Sequence, residues 1–469
     1  MVDGLRVVKC DPVRAQRAAD RLGIGLDCEA ALNRAGCHAG RPFIVADDGY
    51  WPPDFNAFLC ALPGFGVRSP ASAVTYAYNL LAVNDFAQAR NQTVWELDGP
   101  AFRQLVSARQ SGPGAVGTSA LIGTLAAGDK LFQWGVEAGY ADGNPLPRKR
   151  RWVRRLGGPA EPVESMELSP RSPGPAPVQF LSVDQYQRFL SALSLTSRGC
   201  RPRRTPDRDS AYAQLTVSTG LRRAESGLLL TCEIPVDGSG TPADCWLARG
   251  SAKYRSGRMF QVHAPAARDV HKYWTLERAV AVERGTRSGR YDGAGWRRVT
   301  AVTGSGSSLV LRVDGKNVRA DTLAPVDRMR LLDVTGENPE PMMVWLTESG
   351  MPMHPECWTG VFARVSDRAF IDAPYGSRVR VTPHVLRHTF ATHMLSMLIA
   401  SNVAAARAMS EPNVDLEVLQ LRLFEPVGQL KRMLGHRSAE TTWRYVHLLR
   451  EVGDVVRETL ADWSEAVDL

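Results

Sequence analysis

Thr382-Pro383-His384-Val385-Leu386-Arg387-His388 and Leu434-Gly435-His436-Arg437-Ser438, with Tyr445 downstream, form the stretch from which this chain is best read. Thr382 is a natural N-cap and Pro383 a natural first helical residue. His384 and Arg387, three apart, then share a face one turn into the helix, and His388 extends that face. A first helical turn also favours an anion through its free amides. Ser438 reads as the N-cap of a second helix that carries Trp443, Tyr445, Val446 and Leu449. Taken singly, a histidine and an arginine near a helix start are usually surface residues, and a tyrosine on an apolar helix face is usually core. Taken together they offer bases, guanidinium groups and a phenol, the groups needed to hold a phosphodiester and attack it without a metal.

Two earlier elements supply further cations. Thr219-Gly220-Leu221-Arg222-Arg223-Ala224-Glu225 places Arg222 at a break before a helix, with Glu225 three residues on to orient it. Trp246 to Val262 alternates with polar residues around Ser256-Gly257, so it reads as a strand, a turn and a second strand with Lys253 between them.

This set, in this order, resembles the tyrosine recombinase (phage integrase) family. The nine-residue spacing from His436 to Tyr445 and the run Thr389-Phe390-Ala391-Thr392-His393 belong to the same resemblance, which covers roughly residues 65–465. It implies an all-α core-binding domain that binds DNA. It also implies a mixed α+β catalytic domain, mainly helical with a small antiparallel sheet. Carried over by position, Arg222, Lys253, His384, Arg387 and His436 are the implied active-site set and Tyr445 the nucleophile, with Glu225 and His388 in support. Lys253 is preferred over Lys272, which falls in the following helix. The implied chemistry is site-specific cleavage and rejoining of double-stranded DNA through a 3′-phosphotyrosyl intermediate, without metal, ATP or other cofactor. The implied protein is an integrase of a mobile element acting as a homotetramer on DNA, assembled through its C-terminal tail. A type IB topoisomerase would share the chemistry, and a catalytically silent DNA-binding regulator would share the fold. A metal-dependent hydrolase lacks carboxylates at ligand spacing.

Working outward, 469 residues exceed one ordinary core, so two or three domains are expected. The net charge of +8 and a pI near 9.2 suit a polyanionic partner. No apolar run reaches the ~18 residues of a membrane span, and the N-terminus lacks a signal-peptide pattern. A cytoplasmic location is expected. The eight cysteines include no Cys-x-x-Cys pair and read as reduced thiols.

Residues 1–44 carry no assignable role, although Ala15 to Leu32 could form one or two amphipathic helices. Residues 45–146 read as a helical, DNA-binding domain, with Ser69-Pro70 and Asp98 starting helices and a long one from about Val116 to Ala138. Residues 147–177 read as a basic, Pro/Gly-rich extended linker. Six of the eight residues from 148 to 155 are basic, and Arg148, Lys149, Arg150, Arg151, Arg154 and Arg155 are candidate phosphate contacts. Residues 178–469 form the catalytic domain. Segments 284–345 and 401–425 read as insertions, the latter a loop with some helix, and Leu448 to Leu469 as an amphipathic tail.

Overall fold

The computed structural model describes residues 4–112, 114–154, 160–168, 178–194, 205–234, 243–373, 378–408, 416–446 and 448. The chain divides into two compact units, Met1–Ala176 and Pro177–Leu469.

In the first unit, helices Pro53–Ala61, Pro70–Gln88, Gly99–Ser111 and Thr118–Glu137 pack around Phe58, Leu80, Phe102, Leu125 and Phe132. Each begins with a proline at or next to its first residue or a small residue before it. The Asp98 carboxylate accepts the Ala101 amide at 2.8 Å, whereas Ser69 starts its helix without a side-chain cap bond. Residues 4–44 are not separate from this core. Strand Arg6–Lys9 pairs antiparallel with strand Pro42–Val45, and helices Pro12–Arg21 and Cys28–Arg34 lie between them in sequence. The buried Asn56 amide bonds both backbone groups of Ile44, at 2.7 and 2.8 Å. That amide holds the strand across the expected boundary at residue 45, because a buried backbone cannot go unpaired. Four-residue strands are too short for their period to show in sequence.

The basic stretch also departs from expectation. Arg148–Arg154 and Ala160–Met166 form an antiparallel pair, not an extended linker. The glycines and prolines near 157 mark a break in the chain, but they say nothing against strands on either side of it. Residues 169–177 lie outside the described residues.

The second unit is built on helices Val183–Ser194, Pro206–Thr219, Ala264–Tyr273, Cys357–Ala369 and Pro383–Ala408. Its core stacks Tyr212 on Trp358, with ring centroids 3.6 Å apart, and sets Trp345 edge-on to both. Strands Ala243–Leu247 and Arg258–Val262 form a hairpin whose inner face is Cys245, Leu247, Arg258, Phe260 and Val262. A charged residue stands in an otherwise apolar inward row.

Segment 284–345 is a folded layer. It holds a five-stranded sheet in the order Glu340–Pro341, Leu331–Asp333, Arg297–Thr303, Val310–Val313, Lys316–Arg319. Its buried face (Val299, Leu311, Val313, Leu331) packs with Leu228 and Leu230, just beyond the Arg222 segment.

The 401–425 segment is less of a loop than expected. Helix Pro383–Ala408 runs into it and helix Leu416–Leu434 begins inside it, while 409–415 lie outside the described residues. The apolar spacing on both flanks supports helix, and Glu411-Pro412-Asn413 signals only the interruption. The tail beyond Leu448 lies outside the described residues, and with it the tetramer-forming segment read from sequence.

Candidate active site

Four separate elements meet at one cleft of about 310 Å³. The helix opening at Pro383 contributes His384, Arg387 and His388. Thr382 caps it, its hydroxyl accepting the Val385 amide at 3.2 Å, as the motif predicts. The break after helix Pro206–Thr219 contributes Arg222. Gly220 makes that break in the left-handed region (φ 64°), and a side chain there would strike the Phe390 ring at 2.3 Å. The hairpin turn contributes Lys253 and Tyr254, the latter also left-handed (φ 61°). Gly435 turns the chain after helix Leu416–Leu434 so that His436 faces the cleft. Helix Glu440–Val446 then brings Tyr445 to it. Ser438, the cap expected from sequence, lies two residues before the helix start at Glu440, and its hydroxyl accepts the Glu440 amide at 3.1 Å.

Arg387 is the structural centre of the cleft. It is buried, and its guanidinium donates to Gly220 O at 2.5 Å, to Leu434 O at 2.8 Å and to His436 Nε2 at 3.1 Å. One side chain therefore ties three of the four elements together. Arginine only donates, so His436 Nε2 is the acceptor. Its Nδ1 then carries the hydrogen and donates to Thr442 Oγ1 at 2.9 Å. Burial and the nearby Arg222 charge lower the Arg387 pKa, yet guanidinium stays charged at neutral pH.

Glu225 is the counter-charge. It is 1% exposed and accepts from Arg222 Nη1 at 2.8 Å and Arg258 Nη2 at 2.8 Å, while the Arg222 amide donates at 2.9 Å. Burial alone would raise its pKa. The paired Arg258 and Arg222 outweigh that and hold it at about 2. Arg258 also donates to Met433 O at 2.9 Å, fixing the hairpin to the helix that leads to His436. Arg258 escaped the sequence reading as a site residue. Its signal was a charge on the apolar face of a half-buried strand.

The phenol lies among bases. Tyr445 is 3% exposed, and its hydroxyl lies 2.8 Å from His388 Nδ1. The His436 and Tyr445 rings are nearly parallel, 6.3 Å apart, and His384 packs edge-on to His388 at 4.2 Å. Burial pushes both His388 and His436 down to about 3, with His384 and Arg387 acting on the first and Arg387 and Arg222 on the second. His384 is lowered for the same reasons, burial first, then Arg387 and Arg222. Burial raises the Tyr445 pKa, and Arg387, Arg444 and Arg222 offset part of this. The resting cleft thus holds neutral imidazoles and a neutral phenol beside fixed cations, an arrangement suited to an anion.

Lys253 lines the same cleft, with Nζ 5.0 Å above the Tyr254 ring, and Arg437 lies over that ring at 4.8 Å. Lys272 is elsewhere, paired with Asp207 at 2.7 Å. The cleft brings together Arg222, Lys253, His384, Arg387, His388, His436 and Tyr445, and Glu225 stands directly behind Arg222. It adds Arg437 and Arg444, which the sequence reading missed because exposed arginines carry no pattern. Of the basic stretch, Arg148 pairs with Asp129 at 2.7 Å. The side chains of Arg150, Arg151 and Arg154, and Arg155 altogether, lie outside the described residues, and Lys149 belongs to the first unit.

Among the described residues, no group of three or more His, Cys, Asp or Glu side chains is placed to hold a metal ion. Nor is any helix there long and apolar enough to cross a membrane.

No family model and no curated protein matches the chain. Solved structures do. A XerH site-specific recombinase bound to a palindromic difH substrate, in a post-cleavage complex, is similar at 13% identity and a TM-score of 0.47, over 84% of this chain and 81% of that one. The Tn1549 transposon integrase in complex with transposon right-end DNA is similar at 12% identity and 0.44, over 86% and 98%. XerA recombinase is similar at 14% identity and 0.31, over 86% and 95%. With TM-scores below 0.5, these likenesses fix neither activity nor partner for this chain.

Proposed function

We propose that this chain is a site-specific DNA recombinase of the tyrosine type, serving as the integrase of a mobile element. The observation that carries the proposal is the Tyr445 hydroxyl, held 2.8 Å from His388 in a cleft that Arg222, Lys253, His384, Arg387 and His436 also line. A phenol with a pKa near ~10 is a poor nucleophile at neutral pH and needs a proton acceptor and an electrophilic phosphorus. The cleft supplies both. Arg222 and Arg387 take the non-bridging oxygens of a phosphodiester and offset the charge that builds in the pentavalent transition state. The phosphate's own negative charge raises the basicity of the neighbouring imidazoles. Tyr445 Oη then attacks phosphorus and its proton passes to His388 Nδ1, with His384 beside that ring. The bond to the 5′-oxygen breaks as Lys253 gives that oxygen a proton. Once its Nε2 takes up a proton beside the phosphate, His436 leaves Arg387 and donates to a non-bridging oxygen. A 3′-phosphotyrosyl bond remains, and attack by another 5′-hydroxyl reverses the step and joins the strands. His388, whose Nδ1 faces the phenol, is the immediate proton acceptor in this reading.

The test is a nicked suicide duplex carrying the chain's own recombination site, found by sequencing repeated ends in DNA flanking the gene. The wild-type chain is expected to trap a covalent complex in EDTA as fully as in its absence, and Tyr445→Phe to trap none. A complex that survives Tyr445→Phe rules out Tyr445 as nucleophile. Loss on chelation points to a metal-dependent hydrolase, and relaxation of supercoils without joining of sites to a topoisomerase. Binding without cleavage by the wild type marks a silent regulator.

A further inference from the structure

The inserted sheet makes a contact that ordinary core packing does not require. Asp321, in the turn after strand Lys316–Arg319, has a fully buried side chain. Among the described residues, its side-chain partners all lie outside its own layer. Its carboxylate accepts the Trp246 indole N–H at 2.8 Å and the Arg249 amide at 3.0 Å through Oδ1, and Arg249 Nε through Oδ2. Its backbone carbonyl accepts the Gly250 amide at 2.8 Å. Gly250 lies so close that a Cβ there would sit 2.0 Å from Leu323 O. Every one of these partners belongs to the first arm of the hairpin turn, three to seven residues before Lys253. The turn continues through Ala252 N–H to Ala248 O at 3.0 Å, and directly into Lys253. The other arm is held independently, by Arg258 on Glu225 and Met433. Lys253 itself is exposed, and its amide reaches Glu225 only at 3.4 Å. Burial alone would raise the Asp321 pKa, but the bonds from Trp246 and Arg249 outweigh it, so the carboxylate stays charged where those donors need it.

We infer that Asp321 is a positioning residue that sets Lys253 against the leaving oxygen, and that the inserted 284–345 layer serves the reaction through this contact. The inference rests on the recombinase reading and assigns the insertion a part in its leaving-group step. In that step the P–O5′ bond breaks and Lys253 Nζ gives its proton to the departing oxygen. A long lysine on a turn held at one arm only would spend most of its time elsewhere, and ordering such a side chain costs entropy that a fixed turn reduces.

The leaving-group step has a readout that general destabilisation would not move. A duplex with sulfur in place of the scissile 5′-oxygen needs no proton donor, because a thiol has a pKa of about 8.5 and an alcohol one near that of water, about 15.7. Lys253→Ala is expected to lose cleavage of the oxygen duplex and to keep cleavage of the sulfur duplex. Asp321→Asn is expected to slow the oxygen duplex at least tenfold and to leave the sulfur duplex within threefold of wild type. Trp246→Phe keeps the ring and removes one donor. It reads the same split at about threefold if Asp321→Asn does not fold. Equal slowing of both duplexes, or no slowing of either, overturns the positioning role. So does a Lys253→Ala defect that sulfur does not relieve. A wild-type chain that forms no Tyr445-linked complex on either duplex sinks the recombinase reading, and this one with it. A wild type active on both, with Asp321→Asn indifferent, sinks this one alone.

Discussion

Glu225 shows how single residues hold the cleft. Its carboxylate pairs with both Arg222 and Arg258. Removing one partner from a buried ion pair leaves an uncompensated charge and costs about 3–5 kcal/mol. Glu225→Gln is therefore expected to destabilise the second unit by about 3 kcal/mol in urea unfolding, more than its loss of one hydrogen bond would. The imidazoles give a second residue-scale expectation. The folded pKa values of His388 and His436 are about 3, below the ordinary value of 6.5. Above about pH 6.5 neither state is protonated there, and stability is complete. As pH falls from there toward 3, the unfolded chain takes up protons that the folded cleft refuses, and stability is lost. Each ring is expected to cost about 1 kcal/mol by pH 5.5, so the melting temperature should fall between pH 7 and 5.5. Replacing both rings by Asn should flatten that slope.

At the scale of elements, the break at Gly220 matters most. It ends helix Pro206–Thr219 in the left-handed region, and its carbonyl receives Arg387 Nη1. Gly220→Ala meets two obstacles, the disfavoured φ and the Phe390 ring. The left-handed conformation alone costs an L-residue about 1–2 kcal/mol, so a loss of at least about 2 kcal/mol is expected. Cleavage should fall with it, because Phe390 shares a helix with Arg387. Calorimetry and trapping assays on one preparation check both. The helix that opens at the cleft was legible from Thr382 and Pro383, and one of the first unit from Asp98, since caps and apolar periods are local. The strand Pro42–Val45 and the pairing of Arg148–Arg154 with Ala160–Met166 were not. Their stability comes from partners elsewhere in the chain, Asn56 in the first case and the opposite strand in the second.

For the molecule as a whole, the cores of the two units share no residue. Ile44, Phe58 and Phe132 belong to one, and Tyr212, Trp345 and Trp358 to the other. Residues 1–176 and 177–469, expressed separately, are each expected to unfold cooperatively in circular dichroism. A first unit shortened to begin at residue 45 should lose that cooperativity, because Asn56 would face an empty strand position. The order of motifs from Gly220 to Tyr445 was fixed by sequence alone, because residue type and spacing decide which chemistry is present and which helices can start. Tertiary structure decided which groups meet. It turned His388 toward the phenol, and it buried Arg258 on Glu225. It also folded the 284–345 insertion into a sheet whose Asp321 grips the Lys253 hairpin. Those choices rest on contacts between residues 33 to 75 positions apart. Local pattern carries no record of them, because an aspartate in a turn looks the same whether it faces water or a buried indole.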